Sequence, residues 1–87
     1  PSKTRRFVLT FPSTQVSMPV LWELGKDFKI EINIIRGEVN PNSGWQVCEF
    51  KGDDEEIISV INYLRNRGIW VDEGGYGKID HDRAEVV

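Results

Sequence analysis

Residues 28–51 read FKIEINIIRGEVNPNSGWQVCEFK, and this stretch decides the fold. Ile30, Ile32 and Ile34 alternate with Glu31, Asn33 and Ile35, the period-two pattern of a strand, so residues 28–39 are expected to be extended. Asn40-Pro41-Asn42-Ser43-Gly44 is a turn by its chemistry, since proline presets φ and asparagine and glycine tolerate tight conformations. Residues 45–51 then resume strand character, and two strands separated by so short a turn predict an antiparallel hairpin. Asn33 is the irregular member. Asparagine is depleted in strands because its amide competes for backbone hydrogen bonds, so one in mid-strand either faces solvent or is used.

Working outward, residues 5–11 (RRFVLTF) set Phe7, Leu9 and Phe11 on one face and Val8 and Thr10 on the other. Two largely apolar faces suit a central strand. Pro12-Ser13-Thr14-Gln15 breaks this pattern. Ser17 is placed to cap a helix with Pro19 in its first turn, Leu21, Leu24 and Phe28 along one side and Gly25 near its end. Past the hairpin, Gly52 ends the third strand, and Asp53-Asp54-Glu55-Glu56 has the N-cap and N3 spacing of a capping box, with carboxylates suited to a helix N-terminus. Ile57, Val60, Ile61 and Leu64 form the apolar stripe of that second helix, and Arg65-Asn66-Arg67-Gly68 stops it. Residues 69–73 (IWVDE) make a fourth strand.

Strand, helix, strand, strand, helix, strand is the split βαβ plan: an α+β, ferredoxin-like βαββαβ two-layer sandwich, with four antiparallel strands and both helices on one face. One domain over residues 5–74 is expected, with 1–4 and 75–87 as flexible or loosely docked tails. Parity then places Ile30, Ile32 and Ile34 against the helices, and Asn33 and Ile35 on the open face with Trp70. Gly37 is a candidate bulge that shifts parity beyond Arg36. Such an open face is more apolar than a monomer normally leaves in water. Either a homodimer covers it, there or at the adjoining edge, or residues 76–87 fold back over it.

Composition narrows the function. At 87 residues there is room for one core, so a ligand site belongs on a sheet face, at an edge or between subunits. A net charge of −3, from 11 basic and 14 acidic residues, argues against a nucleic-acid module. The one basic cluster, Lys3, Arg5 and Arg6, reads as a solvated start or a strand gatekeeper. No apolar run reaches the ~20 residues of a membrane span, and the chain reads as cytoplasmic. Cys48 is the single cysteine and His81 the single histidine, so no disulfide and no Cys–His nucleophile is expected. Trp22, Trp45 and Trp70 read as core, edge or interface aromatics, and Asp80-His81-Asp82 as solvated rather than metal-binding. No acid–base pair is assembled, no cofactor is expected, and an enzyme is disfavoured.

Asp27-Phe28, then Asn33-Ile34-Ile35, a turn, a strand ending in Gly52, an acidic helix cap and Tyr63-Leu64-Arg65-Asn66-Arg67-Gly68-Ile69-Trp70-Val71 together resemble the NIL domain over about residues 6–73. That family takes its name from an asparagine-isoleucine-leucine motif and is known chiefly as the C-terminal regulatory domain of bacterial methionine-transporter ATPases. The resemblance implies an ACT-like dimer that binds L-methionine or a similar small amino acid near its interface. It carries the motif asparagine onto Asn33 and, with it, Ile34, Ile35, Arg36 and Val39. It also implies a transporter ATPase or a metabolic protein as partner in trans. Ile35 replaces the leucine of the family name. The chain has no G-x-x-x-x-G-K-[ST] loop and too few cysteines for an iron–sulfur cluster, so it resembles a free-standing NIL domain. The alternative is a protein-interaction adaptor that uses the open sheet face or the strand edge.

Overall fold

A computed structural model describes residues 2–16 and 18–74. In chain order these form β1 (Ser2–Pro12), α1 (Ser13–Val16), α2 (Val20–Asp27), β2 (Glu31–Val39), β3 (Ser43–Asp53), α3 (Asp54–Asn66) and β4 (Trp70–Glu73). The sheet order is β2-β3-β1-β4, and β1–β3, β1–β4 and β2–β3 all pair antiparallel. This is the ferredoxin-like arrangement expected from the sequence.

β1 is central because both of its faces are apolar. Phe7, Leu9 and Phe11 join Cys48 and Phe50 of β3, Val71 of β4, Val20 and Leu24 of α2, and Ile57, Val60 and Leu64 of α3 in a single buried cluster. Both main helices therefore lie on the same face. Phe7 and Phe50 meet with ring centroids 5.2 Å apart, adding tilted aromatic contact to the area removed from water. Cys48 is fully buried among them, and burial pushes its thiol up to about 12. With almost no thiolate present near neutral pH it packs as a small hydrophobe.

Several details differ from the sequence reading, each for a local reason. β1 begins at Ser2, which pairs with Asp53, so residues 2–4 belong to the strand and not to a tail. The break at Ser13-Thr14-Gln15 is a helical turn, α1, giving three helices among the described residues in place of two. α2 starts at Val20 with Pro19 in its N-cap position, two residues later than a Ser17 cap implies, and Ser17 itself lies outside the described residues. The capping box does not form: Asp53 occupies the N-cap position without a side-chain cap bond. Glu56 Oε2 instead accepts the backbone N–H of Lys29 at 2.8 Å. That bond ties the α2–β2 connection to α3, and residues 28–30 precede the strand where extended pairing was expected. The hairpin turn is tighter than its composition suggested, because Asn40 Oδ1 accepts N–H groups from Asn42 at 2.9 Å and Ser43 at 3.0 Å. The docking or flexibility expected of residues 75–87 lies outside the described residues.

Candidate functional site

β2 is an outer strand, paired on one side only. Of its nine residues only Ile32 is half-buried, and Ile34, Ile35 and Val39 are 51%, 37% and 54% exposed. Its register on β3 fixes which way each candidate residue points. Asn33 lies opposite Glu49 and Ile34 opposite Cys48, after which an irregularity between Ile34 and Arg36 shifts the pairing so that Arg36 lies opposite Val47. The extra residue is Ile35, so the bulge comes two positions earlier than the Gly37 suggested by sequence. Its effect is specific. Without it Arg36 would share a face with Ile34; with it, Arg36 shares the face of Asn33.

Four of the five predicted residues consequently fall into two groups, with Ile35 the bulge residue between them. Asn33 and Arg36 lie on the face away from the helices, with the Arg36 guanidinium 5.5 Å from the Trp45 ring centroid. Beside Asn33, Glu49 accepts a bond from Arg6 at 3.0 Å, so a polar row Asn33–Glu49–Arg6 crosses three strands. Ile34 and Val39 lie on the helix side, where β2 overhangs the core and leaves them exposed. Gly37 holds β2 close to β3, since a Cβ there would come within 2.7 Å of the Trp45 carbonyl oxygen and of Gln46 Cγ.

Val39 also borders a cleft of about 180 Å³ between the end of the hairpin and the first two helices, lined by Phe11, Met18, Val20, Trp22 and Gln46 among others. This is below the ~300–1,000 Å³ of drug-sized ligand sites and closer to the scale of one amino acid. Its walls are mostly apolar, and Gln46 Oε1 is buried without a hydrogen-bond partner, a free acceptor beside an apolar surface. Sequence reading missed Met18, Trp22 and Gln46 as site residues. Met18 and Trp22, both left exposed, sit around a proline-interrupted segment, a weak signal of an adaptable apolar surface.

The basic start of the chain has a structural role. Arg5 grips Glu73 with two bonds of 2.7 Å and Asp54 with a third of 2.7 Å, joining β1, β4 and the start of α3. The bonds from Arg5 hold the Glu73 carboxyl below its ordinary range, and those to Glu73 first and Asp54 second raise the guanidinium further. Arg67 does the same at the other end of the helical layer, bonding Gln15, Glu23 and Tyr63. Among the described residues no group of three or more His, Cys, Asp or Glu is placed to hold a metal ion. No helix among them is long and apolar enough to cross a membrane.

Comparison with known proteins gives a consistent picture. The family profile described as NIL domain matches residues 5–73. The methionine import ATP-binding protein MetN of Bacillus subtilis (strain 168) is 25% identical over 65 residues, which is 70% of this chain and 19% of that protein. The chain thus spans about a fifth of this curated relative's length. Among solved structures, the C-terminal domain of an ABC transporter ATP-binding protein from Enterococcus faecalis superposes with a TM-score of 0.71 at 20% identity, covering 82% of this chain and 83% of that one. At that identity the likeness is one of fold.

Proposed function

The chain belongs to the NIL domain family, and from that premise we propose that it is a non-catalytic regulatory domain that binds L-methionine, or a closely related sulfur amino acid, where two copies meet along β2. The observation that carries this reading is the outer strand itself. Ile34, Ile35 and Val39 stand exposed on β2, next to a cleft of single-amino-acid scale, in a chain whose relative is named for methionine import. A methionine side chain needs a soft apolar surface, which Val39, Met18 and Trp22 offer. Its ammonium and carboxylate need a few fixed polar groups, which the Asn33 amide, the Gln46 oxygen and the unpaired edge of β2 offer.

The faces divide the roles. Asn33 and Val39 point to opposite sides of one strand and cannot both touch one ligand within a single copy, so a site using both draws Asn33 from one protomer and the apolar surface from its partner. Titration of L-methionine by calorimetry, with sedimentation at each ligand concentration, tests this. Saturable heat and a rising dimer fraction are expected. Asn33→Ala is expected to weaken binding by about tenfold or more, ~1.4 kcal/mol, with unfolding stability changed by less than about 0.5 kcal/mol. Absence of heat at millimolar methionine would remove this reading. The exposed edge of β2 would then favour an adaptor that accepts a strand from another protein.

A further inference from the structure

Arg67 closes α3, and its side chain bonds into all three described helices. Its Nε donates to Gln15 Oε1 of α1 at 3.0 Å, and its Nη1 donates to Glu23 Oε1 of α2 and to the Tyr63 hydroxyl oxygen of α3, each at 2.7 Å. The guanidinium also lies over the Tyr63 ring, 5.5 Å from its centroid. Tyr63 in turn meets Phe28, the residue that follows α2, edge-on with centroids 5.4 Å apart. The backbone beneath is held separately, because the N–H groups of Arg67 and Ile69 both donate to the Leu64 carbonyl at 3.1 Å.

The two elements that Arg67 joins need an outside tie. α1 is a single turn of four residues with no buried side chain, too short to persist on its own hydrogen bonds, and Val16 rests only partly buried against the core. Pro19 stands at the N-cap of α2 and has no N–H with which to continue one helix into the other. α2 is anchored by Val20 and Leu24 in the main cluster, and α1 is joined to it through Gln15, Arg67 and Glu23. The same two elements and the Met18-Pro19 link between them wall the cleft beside Val39, through Gln15, Val16, Met18 and Trp22. Gln15 therefore lines the cleft and is held by Arg67 at once.

We propose that Arg67 is a positioning residue for this cleft: its fork fixes α1 against α2 and so sets the width of the opening that receives the ligand's apolar side chain. The consequence for binding rests on the amino-acid site proposed above. A guanidinium suits the task because its planar donors point in fixed directions and reach an amide oxygen and a carboxylate together. A lysine ammonium is a point charge that would keep Glu23 and release Gln15. The Arg67–Glu23 pair is partly exposed, so it adds little to folding stability. What it fixes is geometry.

Met18 is the single methionine of the chain and lines the cleft, so its isotope-labelled methyl group reports on the wall by NMR. In ligand-free Arg67→Lys that signal is expected to shift and to gain millisecond relaxation dispersion absent from the parent chain, while methyls of the core residues Leu9 and Ile57 stay unchanged. L-Methionine is expected to bind Arg67→Lys several-fold more weakly than the parent, with the unfolding midpoint moved by less than about 4 °C. A Met18 signal identical in parent and variant would overturn the clamp, as would equal disturbance of Met18, Leu9 and Ile57 or equal methionine affinity in the two chains. If the parent binds no methionine, the amino-acid reading of the cleft fails, and the clamp is decided by the ligand-free Met18 signal alone.

Discussion

The two outer strands, β2 and β4, border the same sheet, and the protein treats them in opposite ways. β4 has four residues and is tied down at Val71 and Glu73, while Trp70 at its start stands exposed. Val71 is buried in the main core, the Val71 carbonyl accepts a bond from Arg65 of α3 at 3.0 Å, and Glu73 is gripped by Arg5. β2 has nine residues and gives only Ile32 to the edge of that core. It carries a bulge and leaves its apolar side chains exposed. A short, strapped edge resists pairing with another chain, whereas a long apolar one invites it. Stability is thus concentrated on the β4 side, and the surface proposed above for recognition lies on the β2 side.

Core truncation on the two sides is the strongest way to break this contrast. Ile69, one residue ahead of β4, is buried in the main cluster, so Ile69→Ala is expected to lower unfolding stability by about 2–5 kcal/mol. The matched change Ile34→Ala on β2, where the side chain is half in water, is expected to cost less than about 1 kcal/mol. Chemical denaturation of both variants measures the difference. Equal losses would mean that β2 is as much a part of the cooperative core as β4 is.

An intermediate effect is expected where β2 depends on a single close approach. A β-branched residue at Gly37 would drive its Cβ into the Trp45 carbonyl, a backbone group that cannot rotate away. Gly37→Val is therefore expected to cost about 1–3 kcal/mol. Amide exchange is expected to accelerate over residues 36–39 and their partners 44–47 but not over β4. A uniform increase across the sheet would show that the two edges are not energetically separate.

How much of this was legible in the sequence follows from which interactions are local. Alternation in residues 5–11 and 28–51 and the 3.6-residue stripe of Ile57, Val60 and Leu64 gave element order and core, because each pattern records which face of one element is buried. Parity also placed Asn33 on the face away from the helices, as its pairing with Glu49 requires. What escaped was tertiary. Glu56 has the spacing of a capping box, yet it bonds Lys29 from a distant element. The bulge falls at Ile35 and not at Gly37, whose missing side chain instead permits the close approach to Trp45 and Gln46, and no single-strand pattern encodes that. Arg5 looked like a solvated charge because its partners, Asp54 and Glu73, are brought to it only by the sheet and the α3 start. The cleft beside Val39 joins segments that no local motif links.

The smallest expected effect is on the strap that distinguishes β4, and it depends on pH. Glu73 bonds Arg5 with two short contacts, and that pairing lowers the carboxyl's affinity for a proton in the folded state. A carboxyl depressed on folding stabilises the protein fully above its unfolded pKa, about 4.3 for glutamate, and loses that contribution as pH falls through the lower folded value. Arg5 stays charged throughout this range, so only the carboxyl titrates. The Glu73 side chain is half exposed, and the pair's worth is accordingly under about 1 kcal/mol. Comparing the parent with Glu73→Gln by thermal unfolding from pH 7 to pH 3 isolates it. The gap between the two is expected to stay level down to about pH 5 and to narrow progressively at more acid pH, as the carboxyl takes up its proton. A gap that does not narrow at all between pH 5 and pH 3 would assign the effect to packing of the side chain and not to its charge, and β4 would then owe its anchoring to Val71 and the Arg65 bond alone.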